Sequence, residues 1–237
     1  MDKENYSITL LGDSISKGVI FDDTRGRYII IEDSFCNLVQ NKLKAAVHNA
    51  GKFGSTILRG SKKLYDEMTK SKPDIVVIEF GGNDCDFKWE DVALNPLVPH
   101  EPNTNLSVFR ETLNKIVFNL RSSNVTPVLM TLPPLDPERY FKWISQKRDD
   151  YAENILKWLG SVDRIYSWHA CYNSVIIDIA KETNTNLIDV RSAFLNSDDY
   201  KAYLCIDGIH PNENGHRLIA EKVIDFIKSN FNYLLKE

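Results

Sequence analysis

The sequence predicts an α/β fold in which a parallel sheet is covered by helices, and three observations carry the prediction. Short β-rich apolar runs alternate with longer stretches of helical periodicity, the order expected of strand–helix–strand units. Several runs are continuously apolar rather than alternating, as in Ile75-Val76-Val77-Ile78, which is how strands buried on both faces of a parallel sheet read. The length, 237 residues, lies where one α/β domain can run unbroken and bury roughly 70–75% of its unfolded surface without disulfides or a structural metal.

Five strands are expected: Ser7–Leu11, Ala46–Asn49, Asp74–Phe80, Thr126–Thr131 and Asn186–Val190. Helices are expected at Ser34–Lys44, Ser61–Lys70, Ser107–Arg121, Asp149–Leu159, Val162–Glu182 and Asn212–Asn230. In the third of these, Val108, Leu113, Ile116, Val117 and Leu120 recur at helical spacing; in the last, Leu218, Ile219, Val223, Phe226 and Ile227 do the same, so both read as sheet-covering helices. Two stretches exceed a minimal alternation: residues 85–104, with three prolines, and residues 135–161, rich in aromatics and charge. Both are read as insertions on one scaffold. No repeat, low-complexity run or Gly/Ser linker divides the chain, so a single domain over residues 1–237 is expected.

Composition closes off several classes. Apolar residues make up 43% and charged residues 26%, without excess glycine or proline, which excludes collagen-like and disordered chains. Lys plus Arg number 29 against 33 Asp plus Glu, a formal charge of −4, so the electrostatic footprint of a nucleic-acid binder is missing. The apolar stretch Ile8–Leu11 is too short for a signal-peptide core, and no window approaches the roughly 20 apolar residues of a transmembrane helix. Cys36, Cys85, Cys171 and Cys205 are scattered without a C-x-x-C pair, which argues against zinc and redox motifs and for reduced thiols in a cytoplasm.

Four segments could carry chemistry. Gly12-Asp13-Ser14-Ile15-Ser16-Lys17-Gly18 follows the first strand, and a serine at the carboxyl end of a parallel strand stands where open α/β sheets place their ligands; it reads equally as a strand-to-helix turn with Ser and Asp as caps. Asp207-Gly208-Ile209-His210 precedes the last helix, and Asp and His three apart in a loop can set the carboxylate against one imidazole nitrogen and leave the other free to take a hydroxyl proton. Alternatively these are a turn aspartate and a capping histidine. Asn49-Ala50-Gly51-Lys52-Phe53-Gly54 and Gly81-Gly82-Asn83-Asp84 follow the second and third strands, and a glycine N–H and an asparagine amide can both serve an oxyanion; as turns they need only positive φ at glycine and an Asx turn. His169 and His216 lie in helical stretches, where packing roles are expected.

Competing enzyme classes lack their motifs. No G-x-S-x-G elbow, G-x-G-x-x-G fingerprint or Walker A loop occurs, and His210 and His216 are not in a recognised metal-ligand spacing. Taken together, the four segments resemble the GDSL family, also called SGNH hydrolases, over Gly12 to His216. In that resemblance Ser14 matches the nucleophile, Gly54 and Asn83 the oxyanion-hole glycine and asparagine, and Asp207 and His210 the D-x-x-H pair; Gly18, Asn49, Asp84, Pro211 and Gly215 also match. Ile15 replaces the leucine of the family's name, and the two insertions are longer than in compact members.

The resemblance implies a three-layer α/β/α sandwich of flavodoxin-like type around about five parallel strands. It also implies serine-dependent hydrolysis of a carboxylic ester with no cofactor and no metal, Ser14 N–H joining Gly54 and Asn83 in the oxyanion hole. Short acyl esters, including acetylated carbohydrates, are the implied substrates; thioesters, lysophospholipids, acyl transfer to another acceptor and a noncatalytic carbohydrate-binding or interaction domain on the same fold are the alternatives.

Overall fold

Residues 6–146 and 148–236 are described by the structure, a computed structural model. The chain opens with β1 (Ser7–Gly12) and the single-turn helix α1 (Ser14–Lys17), then folds into a hairpin of β2 (Val19–Asp22) and β3 (Arg27–Ile30). It continues through α2 (Phe35–Gln40), β4 (Ala46–Asn49), α3 (Ile57–Ser71), β5 (Ile75–Glu79), α4 (Trp89–Leu94) and α5 (Leu106–Ser122). Beyond β6 (Thr126–Met130) come α6 (Pro137–Ile144), α7 (Asp149–Leu159), α8 (Asp163–Glu182), β7 (Asn186–Ile188), α9 (Val190–Leu195) and α10 (Glu213–Asn230).

Five strands pair in parallel in the order β4-β1-β5-β6-β7, the flavodoxin-like order in strand sequence. The alternating side chains of the strands feed two cores. Leu11, Val76, Ile78 and Leu129 pack under α3, α5 and α8, while Ile8, Leu10, Ile75, Val128, Met130 and Ile188 pack under α2, α9 and α10. The expected three layers and five parallel strands are therefore present. A third cluster, centred on Val92, Tyr140, Tyr151 and Ile155, joins α4, α6 and α7 beside the sheet. Those helices come from the two stretches read as insertions, which thus pack on each other; Lys147 lies outside the described residues.

Several element expectations are corrected. The helix expected over Ser34–Lys44 stops at Gln40 because Leu43 bridges Leu235 and Lys44 N–H donates to the Leu234 carbonyl, drawing the chain into pairing with the C-terminal segment. The helix expected from Ser61 begins at Ile57, and the last strand ends at Ile188 because the Asp189 carboxylate accepts from Ser192 N–H and starts α9. The β2–β3 hairpin, α4, α6 and α9 were not expected. Among the described residues no helix is long and apolar enough to cross a membrane.

The register sets Gly12 beside Glu79 and Leu10 beside Asn49 at the carboxyl edge of the sheet. Between β1 and β5 the connections depart to opposite faces, α2 lying on one and α5 on the other, so a crevice opens there.

Candidate active site

The turn after β1 is built for close approach. A Cβ on Gly12 would fall 2.1 Å from Ser16 Oγ and 2.8 Å from the Glu79 carbonyl, so no larger residue fits. Asp13 caps α1 by accepting from Ile15 N–H at 2.9 Å, and Gly18 ends it with φ of 84°. Asn49 braces the same turn, donating to the Ser16 carbonyl at 2.8 Å and accepting from Gly51 N–H at 2.9 Å. Ser14 is thereby fixed, buried, at the head of the crevice.

Its hydroxyl meets the loop before α10, 196 residues along the chain. Ser14 Oγ lies 2.9 Å from His210 Nε2, and His210 Nδ1 lies 2.6 Å from Asp207 Oδ2. An ionised carboxylate only accepts, so Nδ1 carries the proton and Nε2 is left to accept from the serine hydroxyl. Burial opposes ionisation of Asp207, but the hydrogen bond and charge of His210 and the backbone N–H groups of His210 and Ile209 outweigh it and hold its carboxyl below the usual value. Those two N–H groups donate to Oδ1 at 3.1 Å each. The loop's turn requires Gly208: its φ is 77°, and a Cβ would come within 2.7 Å of the Asp136 carbonyl and Tyr140 N at the start of α6.

Gly54 and Asn83 border the same cavity as Ser14 and His210. Gly54 has φ of 66° with open space where a Cβ would go, so backbone conformation rather than crowding calls for glycine. Asn83 Nδ2 donates to Asp13 Oδ2 at 2.8 Å, which orients the amide and leaves one of its two N–H bonds uncommitted to that contact. Asp84 plays another part: its carboxylate accepts from Ile57 N–H at 3.0 and 3.1 Å and caps α3, where Thr56 makes no side-chain cap. Behind the turn, Glu79 Oε2 accepts from Ser16 Oγ at 2.8 Å, and burial together with the Asp13 charge pushes the Glu79 carboxyl well up. Burial raises Asp13 as well.

Two residues of the site were not anticipated. Tyr28, from β3, donates its hydroxyl to Asp207 Oδ2 at 3.1 Å, and Phe53 lies nearly parallel to the His210 ring, 8° between planes and 6.1 Å between centroids. The available signal for Tyr28 was a hairpin pattern, two apolar stretches around Asp22-Asp23-Thr24-Arg25-Gly26, with Gly26 at positive φ. His216 is buried as expected of a packing residue, accepting from Phe35 N–H at 3.4 Å, whereas His169, also buried, borders the cavity that Ser14 and His210 line, its Nδ1 3.3 Å from Arg191 Nη1. Burial lowers His169 to about 3 and His216 to about 4, so both are neutral. Among the described residues, no group of three or more His, Cys, Asp or Glu side chains could hold a metal ion.

Ser14 opens into a cavity of about 630 Å³ walled by Phe87, Trp89, Leu135, Tyr140, Trp158 and Trp168. The Trp89 indole and Tyr140 hydroxyl both donate to Asp86 at 2.7 Å, and the Trp168 indole donates to the Cys85 carbonyl at 3.0 Å. Their polar atoms are thus committed to the protein and their carbon surfaces are what remain for a ligand.

Residues 10–218 match the model of the GDSL-like lipase/acylhydrolase family. The chain belongs to that family. The GDSL esterase/lipase CPRD49 of Arabidopsis thaliana is 25% identical over 190 residues, covering 78% of this chain and 67% of the plant protein. An acetylxylan esterase of Geobacillus stearothermophilus is 26% identical over 195 residues, covering 81% and 77%. The crystal structure of the lipase/acylhydrolase from Enterococcus faecalis superposes with a TM-score of 0.70 at 24% identity over 98% of this chain and 97% of that one, which establishes the shared fold. Membership places this GDSL protein among the carboxylic ester hydrolases.

Proposed function

We propose that this protein hydrolyses short-acyl esters of a bulky alcohol, such as an acetylated carbohydrate, through an acyl-enzyme on Ser14. The observation that carries the reading is the continuous line Ser14 Oγ, His210, Asp207, at 2.9 and 2.6 Å, opening into a cavity that Gly54 and Asn83 also border. His210 Nε2 takes the serine proton as Oγ attacks the ester carbonyl, and Asp207 holds the imidazole tautomer and stabilises the imidazolium. The carbonyl oxygen, now an oxyanion, accepts from Ser14 N–H, Gly54 N–H and the free N–H of Asn83. His210 returns its proton to the leaving alcohol. Water then attacks the acyl-enzyme as His210 takes its proton, and His210 passes that proton to Ser14 Oγ as the acyl–Oγ bond breaks and the acid departs.

The acetylxylan esterase among the relatives favours an acetyl group on a sugar, and the aromatic wall suits the carbon face of a sugar ring. The two stretches around 85–104 and 135–161 act, in this reading, as additions to one catalytic domain that shape its substrate. A cytoplasmic location belongs to the same proposal and rests on four unpaired cysteines, three of them buried. Treatment with a fluorophosphonate probe and peptide mapping tests the mechanism: Ser14 alone is expected to be labelled, and Ser14→Ala to lose both label and turnover of p-nitrophenyl acetate. Labelling of a different serine, or turnover surviving in Ser14→Ala, refutes it. A panel from acetyl to dodecanoyl esters, followed by acetylated sugars, then ranks the substrates.

A further inference from the structure

A second depression, an open groove of about 720 Å³, adjoins the cavity and shares Tyr28 and Phe53 with it. It lies between the β2–β3 hairpin, the edge strand β4 and α3. Lys17, Arg27, Lys52, Lys63 and Lys70 line it, against the single carboxylate of Glu67. Glu67 is already engaged, 2.7 Å from His48 Nε2 and 3.5 Å from Lys70 Nζ. Among the described residues, Lys17, Arg27, Lys52 and Lys63 form no ion pair. In a chain of net charge −4 this gathering of cations departs from the average surface.

The charges also have an order. Lys17 ends the helix that Ser14 begins, and Arg27 and Lys52 adjoin in the chain Tyr28 and Phe53, which line both the groove and the cavity. Lys63 and Lys70 lie seven residues apart on one face of α3, extending the row by roughly 10 Å along the groove. A single small anion cannot meet all five. An extended chain carrying negative groups at intervals can, and a cleft focuses the field of such a row on it.

We propose that this groove binds the anionic flank of the substrate, so that the ester is carried on a glycan bearing carboxylate or phosphate groups. The proposal rests on the esterase reading above for the identity of the reacting bond. One flank of the glycan lies on the cations, the esterified unit reaches Ser14 past Tyr28 and Phe53, and the other flank enters the aromatic cavity. A nucleic-acid backbone carries no carboxylic ester for Ser14 to cleave, so the esterase reading favours the glycan as the polyanion.

The test compares O-acetylated oligogalacturonate, a neutral acetylated xylo-oligosaccharide and p-nitrophenyl acetate from about 20 to about 500 mM NaCl, a range over which screening shortens several-fold. The kcat/KM for oligogalacturonate is expected to exceed that for the neutral glycan at low salt and to fall about tenfold or more at high salt. Lys63→Glu/Lys70→Glu, or Lys63→Gln/Lys70→Gln if the reversal does not fold, should lose about tenfold on oligogalacturonate and leave p-nitrophenyl acetate unchanged. Binding of unacetylated oligogalacturonate and of a phosphorylated manno-oligosaccharide to Ser14→Ala, by calorimetry, reads the groove without turnover and separates carboxylate from phosphate. Salt-insensitive binding of both overturns the proposal while leaving the esterase intact; salt-sensitive binding without any p-nitrophenyl acetate turnover removes the esterase reading and keeps the groove. A single-stranded oligonucleotide of equal charge that binds as tightly as either glycan also overturns it.

Discussion

Asn83 and Tyr28 act on the two ends of the proposed charge movement, and each has a distinct expected signature. If one N–H of Asn83 meets the oxyanion while the other holds Asp13, Asn83→Ala should lower kcat by about 10²–10³ with little change in KM. A part confined to turn formation predicts instead a lower melting temperature with near-normal turnover, so both are measured on one preparation. Tyr28→Phe keeps the ring contacts with Phe21, Phe53 and His210 and deletes only the donor to Asp207. A hydrogen bond to a charged group contributes about 1.5–3 kcal/mol, so kcat/KM should fall roughly tenfold to a hundredfold without loss of fold by circular dichroism. Wild-type kcat/KM in Tyr28→Phe would remove the tyrosine from the site.

Among the elements, the helices of residues 135–161 connect most directly to specificity. Their packing shows why excising them whole is a blunt test: Gly208, inside the Asp207–His210 loop, packs against the first turn of α6, and Asp136 N–H donates to the Gly208 carbonyl at 2.8 Å. Removing α6 would disturb the triad loop along with the cavity. Trp158→Ala in α7 is cleaner, because its indole lines the cavity and meets Phe87 edge-on at 5.0 Å. KM for an acetylated oligosaccharide is expected to rise about tenfold, the scale of one lost aromatic contact, while p-nitrophenyl acetate turnover stays near normal. Equal losses on both substrates would deny the helix a part in selection.

The same elements show what local sequence can and cannot reveal. β1, β5 and β6 were legible because a central strand buried on both faces writes an apolar run, as Val76 and Ile78 on one side and Ile75 on the other illustrate. The start of α3 was misplaced because its cap comes from Asp84, 27 residues downstream. The four blocks of the site stood out because glycine, serine, asparagine and the Asp-His pair each sit beside a strand end or helix start. Tyr28 did not, since its partner Asp207 is 179 residues away and nothing in the hairpin's own sequence points there.

For the molecule as a whole, burial of carboxylates near the sheet edge makes stability depend on pH. Burial raises Asp84 from 3.8 to about 7 despite its hydrogen bonds, so between those values the native state holds a proton that the unfolded chain has released. Stability therefore falls as pH rises from about 4 to about 7, and Glu79, also raised, contributes in the same direction. Asp207 has the opposite sign: its stabilisation is present above the unfolded value and is lost only as pH falls through its lowered native one. Thermal melts should decline from about pH 5 to 7, and Asp84→Asn, which keeps an acceptor for Ile57 N–H, should flatten that decline. An unchanged slope in Asp84→Asn would assign the dependence elsewhere.

The span of 196 residues between Ser14 and His210 has a consequence for biosynthesis. As the chain leaves the ribosome, the proposed nucleophile emerges 196 residues ahead of the proposed base, and strands β4 to β7 emerge between them. A nascent or truncated chain lacking the loop before α10 holds a serine hydroxyl with no base to activate it. On the proposed mechanism the enzyme is born silent, and hydrolysis switches on only after translation has passed the final strand, which makes esterase activity a clock for the completion of folding.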